Sequence, residues 1–113
     1  MKIDSHQHFW RYRPEDYPWI TPDLGVLQRD RLAADAQSGW TEAGVSGCVA
    51  VQARTIEAEN ADLLAMAAQD PRIRAVVGWV DLTAPTAADR LAHWAEHPRF
   101  RGVRHVLQGE PDV

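Results

Sequence analysis

Gly47-Cys48-Val49-Ala50-Val51-Gln52 is followed by a stretch of helical character over 58–69 and then by Ala75-Val76-Val77-Gly78-Trp79-Val80-Asp81-Leu82. The two flanking runs are apolar at odd and even positions alike, so each is expected to be a strand covered on both faces. Between them Ala61, Leu64, Ala65 and Ala68 recur at i, i+3, i+4 and i+7, the stripe of an amphipathic helix, and Asp70-Pro71 stops it. Strand, helix and strand make a βαβ unit, which sets the two strands parallel.

The same grammar extends outward. Upstream, a short strand near 2–6 leads into a long polar and aromatic loop over 10–28, then a helix over 31–43 with Asp30 placed to cap it and Gly44 to end it. Downstream, Pro85-Thr86 opens a third helix, Thr86 and Asp89 resemble a capping box, and Ala88, Leu91 and Ala95 line its apolar face. His97-Pro98 ends that helix, and Arg101-Gly102-Val103-Arg104-His105-Val106 reads as a fourth strand. The expected fold is α/β with a parallel sheet, either doubly wound or part of a (βα) barrel. The first βα turn carries no G-x-G-x-x-G and no phosphate-binding loop, so no nucleotide cofactor is expected. Polar groups gather instead where strands end: His6 and His8, Gln52 and Arg54, Trp79 and Asp81, Arg104 and His105. A (βα)₈ barrel builds its active site on that rim.

Composition narrows the class. The 113 residues are 45% hydrophobic and 25% charged, the balance of an ordinary globular domain. No apolar run reaches the roughly 20 residues of a membrane helix, so no membrane partner is expected. The first six residues lack the apolar segment of a signal peptide, and Cys48 is the sole cysteine, which suits a reducing cytoplasm. Cys48 sits in an apolar run and reads as a small buried hydrophobe. A net charge of −4 argues against nucleic acid as a partner. Five tryptophans, and Lys2 as the sole lysine among twelve basic residues, suit a site that grips polar oxygens and stacks on rings.

His6 and His8 are the sharpest feature. Two apart on an extended segment, they point the same way, and two imidazoles on one face can share a divalent ion. Arg104 is placed to reach substrate oxygens or a carboxylate, with His105 as a second candidate on the opposite face. Gln52 is placed to donate to a sugar hydroxyl. Trp19, with Trp10, Tyr12 and Tyr17 in the same loop, is placed to wall a sugar-like ring. Asp16 and Glu15 read as solvated.

Ile3-Asp4-Ser5-His6-Gln7-His8-Phe9-Trp10, Tyr17-Pro18-Trp19-Ile20, Val51-Gln52-Ala53-Arg54, Val77-Gly78-Trp79-Val80-Asp81-Leu82 and Arg101-Gly102-Val103-Arg104-His105 follow one another along the whole chain. In that order they resemble the amidohydrolase-related lactonase group, which includes L-fuconolactonase-like and L-rhamnono-lactonase-like enzymes. The resemblance implies a (βα)₈ TIM barrel of the metal-dependent hydrolase type, opening a small lactone by water attack on the ring carbonyl. It also implies that His6 and His8 are the first-strand pair, binding one divalent, zinc-like metal in metal-using relatives and positioning or polarising the carbonyl in others. By the same analogy a histidine near a fifth strand and an aspartate near an eighth, the general base, complete the site. A whole barrel takes about 250 residues. Residues 1–113 are therefore expected to be the N-terminal half, about four βα units with strands near 2–6, 47–52, 75–82 and 101–106, and inactive alone. With the first and fourth strands as open edges, the half-barrel is expected to be marginal unless two copies pair as a homo-oligomer. A decarboxylase of the same barrel superfamily and a non-catalytic ligand-binding half-barrel are the alternative readings.

Overall fold

Four strands alternate with three helices: β1 (Ile3–Gln7), α1 (Ala33–Ala43), β2 (Gly47–Val51), α2 (Ala58–Gln69), β3 (Ile73–Gly78), α3 (Ala87–Ala95) and β4 (Phe100–Val103). The structure, a computed structural model, describes residues 1–111. All three strand pairs are parallel, and the sheet order is β1-β2-β3-β4. A doubly wound sheet reverses its strand order at a switch point. This one does not, so right-handed crossovers put every helix on the same face. The core shows that arrangement. Trp40 of α1, Leu63 and Ala67 of α2 and Trp94 of α3 pack in one cluster with Cys48, Ala50, Ile73, Val76 and Phe100 of the sheet. The result is the arc of a (βα) barrel, four strands of the eight that close one.

The third strand begins and ends earlier than its apolar run suggests. Ile73 joins the ladder, while Trp79 leaves it because Asn60 takes over its backbone: the Asn60 Oδ1 accepts the Trp79 N–H at 2.8 Å and its Nδ2 donates to the Trp79 carbonyl at 2.8 Å. Gly78 makes that approach possible, since a Cβ there would stand 2.2 Å from the Asn60 Oδ1. The fourth strand likewise stops at Val103, short of 106.

Two helices bury a different stripe from the one the alanines mark. In α2 the buried residues are Glu59, Asn60, Leu63 and Ala67, and Ala61, Ala65 and Ala68 face outward. In α3 Trp94 is buried and Leu91 half-buried, while Ala88 and Ala95 are exposed. Large side chains remove more apolar area from water than alanines do, and the polar pair in α2 is buried because it is hydrogen-bonded.

The caps also differ from expectation. Helix α1 starts at Ala33, where the Asp35 carboxylate accepts the Leu32 N–H at 2.8 Å; Asp30 instead accepts the Tyr12 N–H at 2.7 Å and ties down the loop. Thr86 makes no side-chain cap bond. Gly44 ends α1 as expected, in the left-handed region at φ 70°. The long loop is pinched at its base by an antiparallel bridge between Trp10 and Arg31, both backbone bonds 2.8 Å, and contains a 3-10 turn at Pro22–Leu27. Trp10, Tyr17 and Ile20 give it a small core of its own. No helix among the described residues is long and apolar enough to cross a membrane.

Candidate active site

Parallel strands deliver their C-terminal ends to one rim, and the residues just past β1, β2 and β4 meet there around a cleft of about 620 Å³. His8, Trp19, Gln52, Arg54, Arg104 and Glu110 line it. Its volume lies in the range that holds small-molecule ligands.

His6 and His8 converge as their spacing suggests. Their Nε2 atoms stand 3.1 Å apart with the rings nearly perpendicular at 79°. The His8 Nδ1 lies 2.9 Å from the Val51 carbonyl, so Nδ1 carries the proton and donates, leaving Nε2 with its lone pair free to face His6. Burial holds the His8 imidazole below its ordinary pKa, against the Val51 hydrogen bond and with help from His6 and Arg104. The neutral, Nδ1-protonated ring is the form a metal ligand takes. A 3.1 Å separation is also what two imidazoles bound to one ion at about 2.0–2.1 Å each would show. The pair therefore fits a divalent ion. Among the described residues no group of three or more His, Cys, Asp or Glu side chains that could hold a metal ion forms.

Arg104 crosses behind the end of β3 to reach β2. Its Nε donates to the Gln52 Oε1 at 2.6 Å and its Nη2 to the Gln52 carbonyl at 3.0 Å. Gln52 is 1% exposed, and its Nε2 donates to the Arg54 carbonyl at 2.7 Å. One of the two N–H groups of that amide thus already has a protein partner. Arg54 is paired with Asp16, Glu59 and Asp62 and lies 5.8 Å over the Tyr17 ring. Asp16 is accordingly not a solvated bystander: it lines the cleft and pins the aromatic loop to Arg54. Glu59, 2% exposed, accepts the Ala53 and Arg54 N–H groups at 3.0 and 3.1 Å. Burial pushes its carboxyl up, and the two backbone bonds and Arg54 pull against that.

Trp19 stands at the cleft edge, 46% exposed, held by its Nε1 donating to the Ala53 carbonyl at 3.1 Å. An exposed, tethered indole is a ready stacking platform. The other four tryptophans do not line this cleft. His105 does not line it either. Its Nδ1 accepts from the Trp79 Nε1 at 2.9 Å, so its Nε2 carries the proton and donates to Glu110 at 2.9 Å. His105 therefore orients a cleft carboxylate. Glu110, Glu59 and Asp16 were missed by sequence reasoning. The one local sign was an acid at a strand-end loop or in a helix's first turn, which is as common on bare surfaces.

The amidohydrolase family profile matches residues 3–113. The chain is 50% identical over its full length to an L-fucono-1,5-lactonase of Burkholderia multivorans and 36% identical over 99% of its length to one of Burkholderia ambifaria. It spans 38% and 39% of those relatives. It superposes with a TM-score of 0.92, at 49% identity, on a crystal structure of a Burkholderia multivorans amidohydrolase with bound zinc, covering 99% of this chain and 39% of that one. The sequential parallel arc, the histidine pair on its rim and the family match over nearly the whole chain lead to one assignment: the chain belongs to the amidohydrolase family.

Proposed function

We propose that this chain forms one side of the active site of a lactone hydrolase, in which water attacks the ring carbonyl of a sugar-acid lactone and the ring C–O bond breaks to give the open hydroxy acid. The observation that carries the reading is the pairing, on one rim, of two converging histidine nitrogens with a guanidinium that has no carboxylate partner among the described residues. The names of the Burkholderia relatives point to L-fucono-1,5-lactone as the substrate type.

His6 and His8 would hold a divalent, zinc-like ion, which when bound acts as a Lewis acid on the carbonyl and lowers the pKa of its water. The Val51 carbonyl keeps the His8 ring oriented and in the right tautomer. Arg104 donates to the lactone's oxygens, and negative charge that develops on the carbonyl oxygen draws it closer. Trp19 stacks on the sugar ring, and the His105-held Glu110 accepts from a ring hydroxyl.

The test uses the full-length protein. L-Fucono-1,5-lactone is supplied and ring opening is followed as released acid, before and after chelation and zinc restoration. Enzyme-like turnover that chelation removes and zinc restores is expected. Ring opening no faster than the spontaneous rate overturns the reading.

A further inference from the structure

The rim carries two arginines held in opposite ways. Arg54 is surrounded by three carboxylates: Asp16 at 3.3 Å, Glu59 at 3.6 Å and Asp62 at 2.7 Å. Its charge is neutralised, and it ties the loop to α2. Arg104 lines the same cleft and forms no ion pair among the described residues. What holds it is Gln52, through two hydrogen bonds to two different oxygens of that one residue, Oε1 at 2.6 Å and the backbone carbonyl at 3.0 Å. Two such bonds on the Nε–Nη2 edge fix the plane of a guanidinium. The opposite nitrogen, Nη1, makes no hydrogen bond among the described residues.

We infer that Gln52 is a positioning residue: a neutral tether that aims Arg104 into the cleft and leaves its positive charge intact for the reacting oxygens. The inference rests on the lactone-hydrolase reading above for what Arg104 acts on.

The tether is itself rigid. Arg104 offers only donors, and the Arg54 carbonyl only accepts, so the Gln52 amide has one orientation: oxygen toward Arg104 and nitrogen toward Arg54. The residues just after it are clamped from below, where Glu59 accepts the Ala53 and Arg54 N–H groups. Its own N–H donates to the Val77 carbonyl at 2.8 Å. A carboxylate in place of the amide would satisfy Arg104 equally well in shape but would neutralise it, as Asp16, Glu59 and Asp62 do for Arg54. The choice of an amide is therefore chemical and not merely steric. A transition state that gathers negative charge gains from a free guanidinium far more than a neutral ground state does.

Two variants of the full-length enzyme separate orientation from charge. Gln52→Glu keeps a partner on Arg104 and cancels its charge. Gln52→Met removes the tether and keeps the charge. Each is expected to lower kcat by about 10- to 100-fold with KM changed less than about 3-fold, the mark of an interaction made in the transition state. In an Arg104→Ala background neither substitution is expected to lower kcat further. Wild-type kcat in both variants, or an undiminished effect in the Arg104→Ala background, overturns the inference. Gln52→Glu places an oxygen against the Arg54 carbonyl; if it does not fold, Gln52→Met carries the test alone. A second readout is independent of the reaction. The Arg104 Nε–H resonance, assigned by its loss in Arg104→Lys, is expected to exchange slowly in the wild type and rapidly in Gln52→Met. If the wild type fails to open lactones while this protection holds, the reaction reading falls and the tether stands. If the Nε–H exchanges freely in the wild type, the tether falls.

Discussion

Asn60 meets the backbone of Trp79 with both ends of its amide, accepting its N–H and donating to its carbonyl, each at 2.8 Å. The side chain takes the place a neighbouring strand would occupy, and it does so while fully buried. It thereby ends β3 and turns the chain toward Trp79 and its partner His105. Asn60→Leu leaves both backbone groups buried without partners, and each such group costs about 1–3 kcal/mol. A loss of about 2–5 kcal/mol in unfolding free energy is expected by urea titration. Gly78→Ala drives a methyl into the same amide. The two substitutions are expected to be clearly non-additive in a double-mutant cycle, and additive losses would show that they do not act on one contact.

Alkaline pH is expected to destabilise the chain through Cys48 and Tyr17. Burial pushes the Cys48 thiol up to about 11 from an ordinary 9.0, and pushes the Tyr17 phenol up as well, opposed by Arg54. Both groups keep their protons longer when folded than when unfolded. Their contribution is therefore complete below about pH 9 and is lost as pH climbs through the folded values. For Cys48 this is on the order of 1–3 kcal/mol. Thermal midpoints should fall steadily from pH 9 to 11, and Cys48→Ala should flatten the slope. A midpoint that stays level across that range would contradict the assignment.

The buried thiol should also be chemically silent. Cys48 is 0% exposed. A thiol reagent at pH 8 is expected to label it only as fast as the chain unfolds, and fully in denaturant. Rapid stoichiometric labelling of the folded protein would show that α1 and α2 do not seal this part of the sheet.

Replacing either rim histidine should remove metal from the full-length protein. His6→Ala and His8→Ala are each expected to weaken zinc binding by more than about 100-fold, the upper end of what loss of an outer-shell partner costs. Metal content after dialysis against a zinc buffer reads this directly. Retention of a full equivalent by either variant would remove that histidine from the ligand set.

Trp19 should govern affinity rather than rate. Trp19→Ala is expected to raise KM about 5- to 10-fold with kcat nearly unchanged, and Trp19→Phe to recover most of the loss, since an aromatic face is worth about 1 kcal/mol. An equal fall in kcat would mean that the indole touches the reacting carbonyl and not the ring.

The sequence was most legible where one physical cause acts alone. Helix α2 runs over 58–69 as its breakers demand, Gly44 ends α1, and Cys48 is buried as its apolar neighbours suggest. It was least legible where a polar group is buried through a partner far along the chain. Glu59 and Asn60 break the apolar stripe of α2, so periodicity moves that stripe onto the alanines. Their burial follows from bonds to Ala53, Arg54 and Trp79, whose positions only the folded sheet defines. The site divides along the same line. His6 and His8 are two residues apart at the end of β1, so their closeness is local, though the Val51 carbonyl fixes the His8 ring. Arg104 and Gln52 are 52 residues apart, and nothing in either segment announces the other. The abundance of tryptophan and arginine was only partly a sign of the cleft, which is lined by Trp19, Arg54 and Arg104 while Trp40 and Trp94 fill the core.

Two rim side chains are fastened across the sheet, His8, after β1, to Val51 on β2 and Arg104, after β4, to Gln52 past β2, and the backbone N–H of Gln52 is itself held by Val77 on β3. Sheet register is thus the alignment gauge of the site. A slip of one residue between neighbours moves these partners by about 3.3 Å, more than a hydrogen bond can span. A slip of β1 against β2 would unfasten His8, and a slip of β4 against β3 would unfasten Arg104. A misregistered chain would carry every functional residue and still leave part of the rim unassembled.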